Sequence, residues 1–242
     1  MNFRRALALS SFAIALVFVM LLLNRAMKGK SIRPRTSSAP RTQRTYTTNF
    51  PLTENPISES ENWTDGHAVG LDWSNIQTTA GRAYGEVLAP GNYNDPTALL
   101  TGPWGPDQTV EATVYSMSPS DAIYEEVELR LRSRLSAHVC TGHEIDFRVS
   151  SSPNAYLAIV KWNGSLGDFT YLVTYRGSRY GVSNGDVIKA SIVGNTMTVC
   201  KNGTQIGGAT DGEFATGAPG IGIDGPGTNT GWGFSSFTAS SN

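Results

Sequence analysis

Chemistry is best served in this chain by the segment Glu144-Ile145-Asp146-Phe147-Arg148. Read as a β-strand, it puts Glu144, Asp146 and Arg148 on one face and Ile145, Phe147 and Val149 on the other. Two carboxyl groups flanking a glycosidic bond can serve as nucleophile and acid/base. Here position 148 is Arg and position 149 is Val, so the strand carries no second acid at the right distance. Only Glu126 or Glu128, on a neighbouring strand, would replace it. The same alternation runs through Ile123–Leu131, with Val127, Leu129 and Leu131 on one face and Glu126, Glu128, Arg130 and Arg132 on the other. Laid antiparallel, the two charged faces either pair with one another, at about a few tenths of a kcal/mol per pair, or form a concave surface that hydrogen-bonds sugar hydroxyls. The charged candidates for saccharide binding are therefore Glu128, Arg130, Asp146 and Arg148.

Aromatic rings supply the other half of a sugar site, because the C–H faces of pyranose rings stack on them. Trp104 sits in Gly102-Pro103-Trp104-Gly105-Pro106, a loop sequence that does not read as a strand. Trp162 precedes an Asn163-Gly164 turn, and Tyr171, Tyr175 and Tyr180 follow. Trp104, Trp162 and Tyr171 join the candidate list, while Trp63 and Trp73 read as core. His143 stands just before the Glu144 strand, where it could be recruited to a proton-transfer step, although a lone His is more often a satisfied surface residue. No Cys/His metal spacing, P-loop or nucleophile elbow is present, so no catalytic and no metal-ligating residue is assigned. The sequons at Asn62, Asn163 and Asn202 are explained better by turn chemistry than by glycosylation in the two cases followed by Gly.

These residues need a rigid scaffold, and the chain describes one. Beyond Phe50 no stretch shows helical periodicity; short alternating runs are punctuated by Gly, Asn, Asp and Pro, with 26 glycines among 242 residues. Further strands are expected around Gln77–Glu86, Gln108–Met117, Glu144–Val149, Ala155–Trp162, Phe169–Tyr175, Val187–Val193 and Thr196–Lys201. Asn202-Gly203 is the strongest hairpin signal, since it supplies the positive-φ pair of a type I′ turn. Gly231–Thr238 reads as a closing strand that pairs back near the N-terminal one. Roughly a dozen strands of this kind make an all-β antiparallel sandwich in one domain. The formal net charge of −1 gives nucleic acid no global attraction.

The C-terminal half resembles a known family. Gly185-Asp186-Val187-Ile188-Lys189-Ala190, Val193-Gly194-Asn195-Thr196, Asn202-Gly203, Thr210-Asp211, Gly217-Ala218-Pro219-Gly220-Ile221-Gly222 and Gly233-Phe234-Ser235-Ser236-Phe237 are similar to the succession in concanavalin A-like and laminin G-like jelly rolls. Phe50 to Gly66 resembles that family's first strand and Trp-containing loop. The resemblance covers residues 49–242 and implies the fold; for function it implies a range, from lectins and carbohydrate-binding modules to hydrolases, lyases and adhesion modules. Jelly-roll hydrolases carry Glu-x-Asp-x-Glu or Glu-x-Asp-x-x-Glu, which this strand matches only in its first two acids. Of the alginate-lyase-like motifs only Glu128-Leu129-Arg130 is partly matched. The reading that follows is a non-catalytic, lectin-like domain with a polysaccharide or glycan as partner. The alternatives are a polysaccharide-active enzyme, lyase before hydrolase, or a protein-adhesion module. The resemblance implies no cofactor beyond a structural Ca²⁺ at loop acids such as Asp211 or Asp224.

Residues 1–24 carry two arginines and then the uncharged, mostly apolar run Ala6–Leu23, the pattern of a signal peptide or signal anchor. Residues 25–48 hold seven basic residues and no acid among Ser, Thr and Pro, and are expected to be a disordered linker. The expectation is export, with the domain secreted or anchored to a membrane through its N-terminal segment. Cys140 and Cys200 are compatible with one disulfide or with two free thiols.

Overall fold

The computed structural model describes residues 43–65, 72–87, 93–117 and 124–242, with backbone alone at 227–229. The hydrophobic run Ala6–Leu23 and the linker up to residue 42 lie outside the described residues. Fifteen strands are found among them. The first five are β1 (Arg44–Thr48), β2 (Trp63–Asp65), β3 (Ile76–Thr79), β4 (Arg82–Val87) and β5 (Thr97–Leu100). Next come β6 (Gln108–Ser116), β7 (Glu126–Ser136), β8 (Val139–Arg148), β9 (Tyr156–Gly164) and β10 (Phe169–Arg176). The chain ends with β11 (Val187–Val193), β12 (Thr196–Lys201), β13 (Thr204–Thr210), β14 (Ala218–Asp224) and β15 (Gly227–Ser241).

Two antiparallel sheets stack on one core. One has the order β13-β12-β11-β6-β15-β4-β3, with β1 also pairing β15; the other has the order β10-β9-β8-β7-β14-β5-β2. Alternation decides which face goes inward. Strand β6 buries every second residue completely, and Val110, Ala112 and Val114 meet Val127, Leu129, Leu131, Ile145, Phe147, Leu157 and Ile159 of the second sheet in the main core cluster. A one-residue slip of β7 and β8 would turn Val127, Leu129, Leu131, Ile145 and Phe147 out of that core. At roughly 1.5–3 kcal/mol each, this would cost on the order of 10 kcal/mol, so the register is strongly specified.

The turn chemistry is as the sequence reads: Asn202 (φ 51°) and Gly203 (φ 77°) close the β12–β13 hairpin. Two details differ, and a third, left open by the sequence, is decided. Arg44–Thr48, read as linker, is strand β1, paired residue for residue with Thr238–Ser241 and Phe237 of β15; the Thr45-Tyr46-Thr47-Thr48 run has the β-propensity to add a strand. The β9–β10 connection is made by Ser165–Asp168 rather than by Asn163-Gly164, which still belongs to β9. Cys140 and Cys200 are free thiols, one buried on β8 and the other half-buried on β12, in different sheets.

Strand β7 is unusual in being buried on both faces from Glu126 to Ser133. Its inner face is the core. Its outer face is the row Glu126, Glu128, Arg130, covered by loops that enter β3 and β5. That covered outer face positions the site.

Candidate functional site

Pairing register brings the charged residues together. On β7 and β8 the partners are Glu126–Arg148, Glu128–Asp146 and Arg130–Glu144. On the other side, β14 places Asp224 opposite Glu126, Gly222 opposite Glu128 and Gly220 opposite Arg130. The glycines are required there. A Cβ on Gly222 would come within 2.0 Å of Glu128 Oε2 and 3.0 Å of Arg130 Nη2, so the long side chains of β7 occupy the space that β14 leaves open. Asp95, just before β5, completes the group: one carboxylate oxygen each from Asp95, Glu128 and Glu144 lie within 4.8 Å of one another.

Arg130 is the hub. It is completely buried, bonds Glu128 Oε2 at 2.5 Å and Thr97 Oγ1 at 3.1 Å, and is ion-paired with Glu144. Glu144 also accepts a hydrogen bond from Trp162 Nε1 at 2.8 Å. The guanidinium thus bridges two of the three carboxylates and sets a fixed positive charge beside them. The loop acids considered for Ca²⁺ are otherwise engaged. Asp211 bonds His143 Nε2 at 3.0 Å and lies 3.7 Å from Lys161, while Asp224 belongs to the acidic group.

Six carboxyl groups, Asp95, Glu126, Glu128, Glu144, Asp146 and Asp224, line one recess, against the two guanidinium groups Arg130 and Arg148. Burial disfavours charge on so many acids at once. It drives Asp95, Glu128 and Asp146 well above the ordinary carboxylate range, with the neighbouring carboxylates adding to the effect. Burial likewise pushes Glu126 up to about 8 and raises Asp224. Burial also works against the charge of Arg130, but Glu144 and Glu128 outweigh it and hold the guanidinium protonated. With its carboxyl pushed to about 8, Glu126 favours the protonated form at neutral pH, and the neighbouring acids shift in the same direction. A protonated carboxyl both donates and accepts hydrogen bonds.

The recess opens beside a rim of aromatic rings. Tyr171, Tyr93 and Tyr124 are 60%, 52% and 44% exposed. Phe169 links the first two, with ring centroids 5.2 Å from Tyr93, 5.5 Å from Tyr171 and 5.3 Å from Trp162. Tyr124 bonds both Glu126 and Tyr156, and Arg148 lies 4.4 Å over its ring. An adjoining cavity of about 340 Å³ shares Tyr93, Asp95, Tyr124 and Asp224 with the recess.

The structure thus gathers five of the candidates, Glu128, Arg130, Asp146, Arg148 and Tyr171, on one face of the second sheet. The charged ones are not the solvated ion pairs of an open face: Arg130, Glu128 and Asp146 are 0%, 1% and 6% exposed. Trp162 is at the same place but forms its floor, 2% exposed and packed between Trp73 and Phe169, so no ring face is free for stacking. Trp104 is elsewhere. It is 8% exposed in the main core cluster, with Arg44 stacked 4.3 Å above it. His143 is completely buried and bonded to Asp211, not turned to the acids. Asp95, Tyr93, Tyr124 and Phe169 were missed by sequence reasoning, and Asp224 was considered only as a Ca²⁺ ligand. The Gly220-x-Gly222-x-Asp224 spacing is a signal for Asp224 alone, because it leaves a gap beside β7 and ends in an acid.

No family model matches this sequence, and no curated protein matches it. Solved structures do. A carbohydrate binding module CBM66 from Bacillus subtilis superposes with a TM-score of 0.51 at 16% identity, over 77% of this chain and 96% of that one. The fold is a concanavalin A-like jelly roll. The Emp46p carbohydrate recognition domain in its potassium-bound form gives a TM-score of 0.53 at 12% identity, over 79% of this chain and 94% of that one. Its metal-free form gives 0.50 at 13%. At these identities the jelly roll is shared, and the site must be argued from its own residues.

Proposed function

We propose that this jelly roll is a lectin-like domain that binds a saccharide unit in the acidic recess, without cleaving it, and that it works outside the cytoplasm. The observation that carries the reading is the junction of exposed tyrosines with a row of buried carboxyl groups. Tyr171 and Tyr93 offer ring faces to the C–H side of a pyranose, and Asp146, Glu126 and Asp95 offer hydrogen bonds to its hydroxyls. The recess itself encloses only about 70 Å³, and the adjoining cavity of about 340 Å³ that shares Tyr93, Asp95, Tyr124 and Asp224 with it supplies the room a small-molecule site needs. Export rests on the charged-then-apolar N-terminus, and membrane association on the same segment.

A second reading is favoured by one observation. The acid missing from the Glu144 strand is supplied by Glu128 and Asp95, each with a carboxylate oxygen within 4.8 Å of one of Glu144, and a retaining glycosidase needs such a close pair of carboxyl groups. Arg130, however, ties Glu128 and Glu144 together, which leaves neither free to deliver a proton to a leaving group. Binding is therefore the leading reading. The test is a glycan array with the full chain and with Tyr171→Ala, followed by reducing-end and unsaturated-uronate assays on every glycan bound. Retained binding with no turnover supports the proposal. Turnover abolished by Glu144→Gln would replace it with the hydrolase.

A further inference from the structure

A second cavity stands apart from the acidic recess. A cavity of about 630 Å³ lies at the other end of β5, β14 and β7. Its lining includes Leu99, Trp104, Leu135 and Ala218 with Thr64, Ser133 and Thr216, and Arg134 at its rim; no carboxylate lines it. From Glu128 to Arg134 is six residues, or about 20 Å along the strand. Between the two places stands the apolar cluster of Trp73, Cys140 and Trp162, against which Leu135 packs.

Charge distinguishes the two. Arg134 uses Nε and Nη2 on Thr216, at 3.4 and 2.5 Å, and leaves Nη1 to solvent. Arg44 lies against three lining residues. Its Nη1 bonds the Pro103 carbonyl at 3.0 Å, its guanidinium stacks on Trp104, and only a Cβ-less Gly102 allows it that close. Among the described residues neither guanidinium has a carboxylate partner, whereas Arg130 has two.

We infer that this cavity is a second saccharide subsite that takes a carboxylate-bearing sugar, a hexuronate unit of a polysaccharide. A guanidinium with free donors recognises a carboxylate with directional, charge-assisted bonds. The apolar floor suits the sugar's C–H face, and the Ser and Thr hydroxyls suit its ring oxygens. The acidic recess, lined by six carboxyl groups with Arg130 already held by Glu128 and Glu144, offers such a unit no comparable partner. The inference rests on the glycan reading above but concerns a different place, so the two can fail separately.

The test compares oligogalacturonate with its methyl ester, which keeps the shape and removes the charge, by titration calorimetry on the full chain. Expected is at least tenfold tighter binding of the acid form at low salt, lost in Arg134→Gln and further in the Arg44→Gln/Arg134→Gln pair. Binding of the ester should be unchanged in both. Tyr171→Ala should leave oligogalacturonate binding intact. Equal affinity for acid and ester, or no effect of Arg134→Gln, overturns the inference. Loss of acid binding in Tyr171→Ala alone would assign the uronate to the recess and overturn it as well. Thermal melts of each variant separate lost binding from lost folding, and Arg134→Lys, which keeps the charge, should retain part of the preference.

Discussion

Replacing Glu126 by Gln should make the protein more stable at alkaline pH and leave it nearly unchanged at acid pH. Glu126 is buried opposite Arg148 and Asp224, bonded by Tyr124, and its carboxyl is pushed from 4.5 to about 8, chiefly by burial. Between these values the folded protein holds a proton that the unfolded chain has released. Stability from this group is therefore complete below about pH 4.5 and is lost as pH rises through 8. At about 1.36 kcal/mol per pH unit the full span amounts to about 5 kcal/mol. Gln is neutral at every pH and nearly the same shape, so it removes this loss. For a domain of about 200 residues, each kcal/mol is about 2–4 °C in Tm. The Gln variant should melt at least about 10 °C above the wild type at pH 9 and within a few degrees of it at pH 5. Thermal and urea unfolding at pH 5, 7 and 9 measure this. A difference that is independent of pH, or a variant less stable at pH 9 than at pH 5 relative to wild type, would refute the claim that Glu126 carries a proton in the folded state.

Removing the hub cation should be severe: Arg130→Met leaves Glu128 and Glu144 without their partner and should cost about 3–5 kcal/mol in urea unfolding at pH 7, less at pH 5. Trp162→Ala should behave as a core truncation, losing about 3–5 kcal/mol of stability, which distinguishes a floor residue from a stacking platform. Tyr171→Ala should shift the melting temperature by no more than a few degrees while weakening glycan binding by about 1–2 kcal/mol. Cys140 and Cys200 should both react with a thiol reagent in the unfolded protein without prior reduction, and intact mass should be the same with and without reductant.

The face carrying Glu128, Arg130, Asp146 and Arg148 was legible because strand alternation is a local property. Val127, Leu129, Ile145 and Phe147 can face only the core, so their neighbours must face away from it. What covers that outer face was not legible. Trp73, Asp95 and Tyr93 come from loops dozens of residues upstream, and no periodicity reports where a loop folds back. The same limit explains the aromatics. Trp162 has the spacing of an exposed ring, yet Trp73 and Phe169 close over it. Trp104 has the sequence of an exposed loop, yet the Gly102-Pro103 bend sets it under Arg44. Tyr171 kept its expected exposure because it lies on β10, an edge strand with nothing beyond it in the described sheet. Strand β1 was hidden by its neighbours, since a basic, Ser/Thr-rich run continues into it without a break.

Titration calorimetry with a neutral glycan from the array, at pH 6 and pH 9, for the wild type and Tyr171→Ala, tests the central claim. If proton-bearing carboxyl groups and exposed tyrosines make the site, affinity should fall at least tenfold from pH 6 to pH 9 and fall similarly in Tyr171→Ala at pH 6. Binding that is indifferent both to pH and to Tyr171 would place the sugar elsewhere and contradict the account.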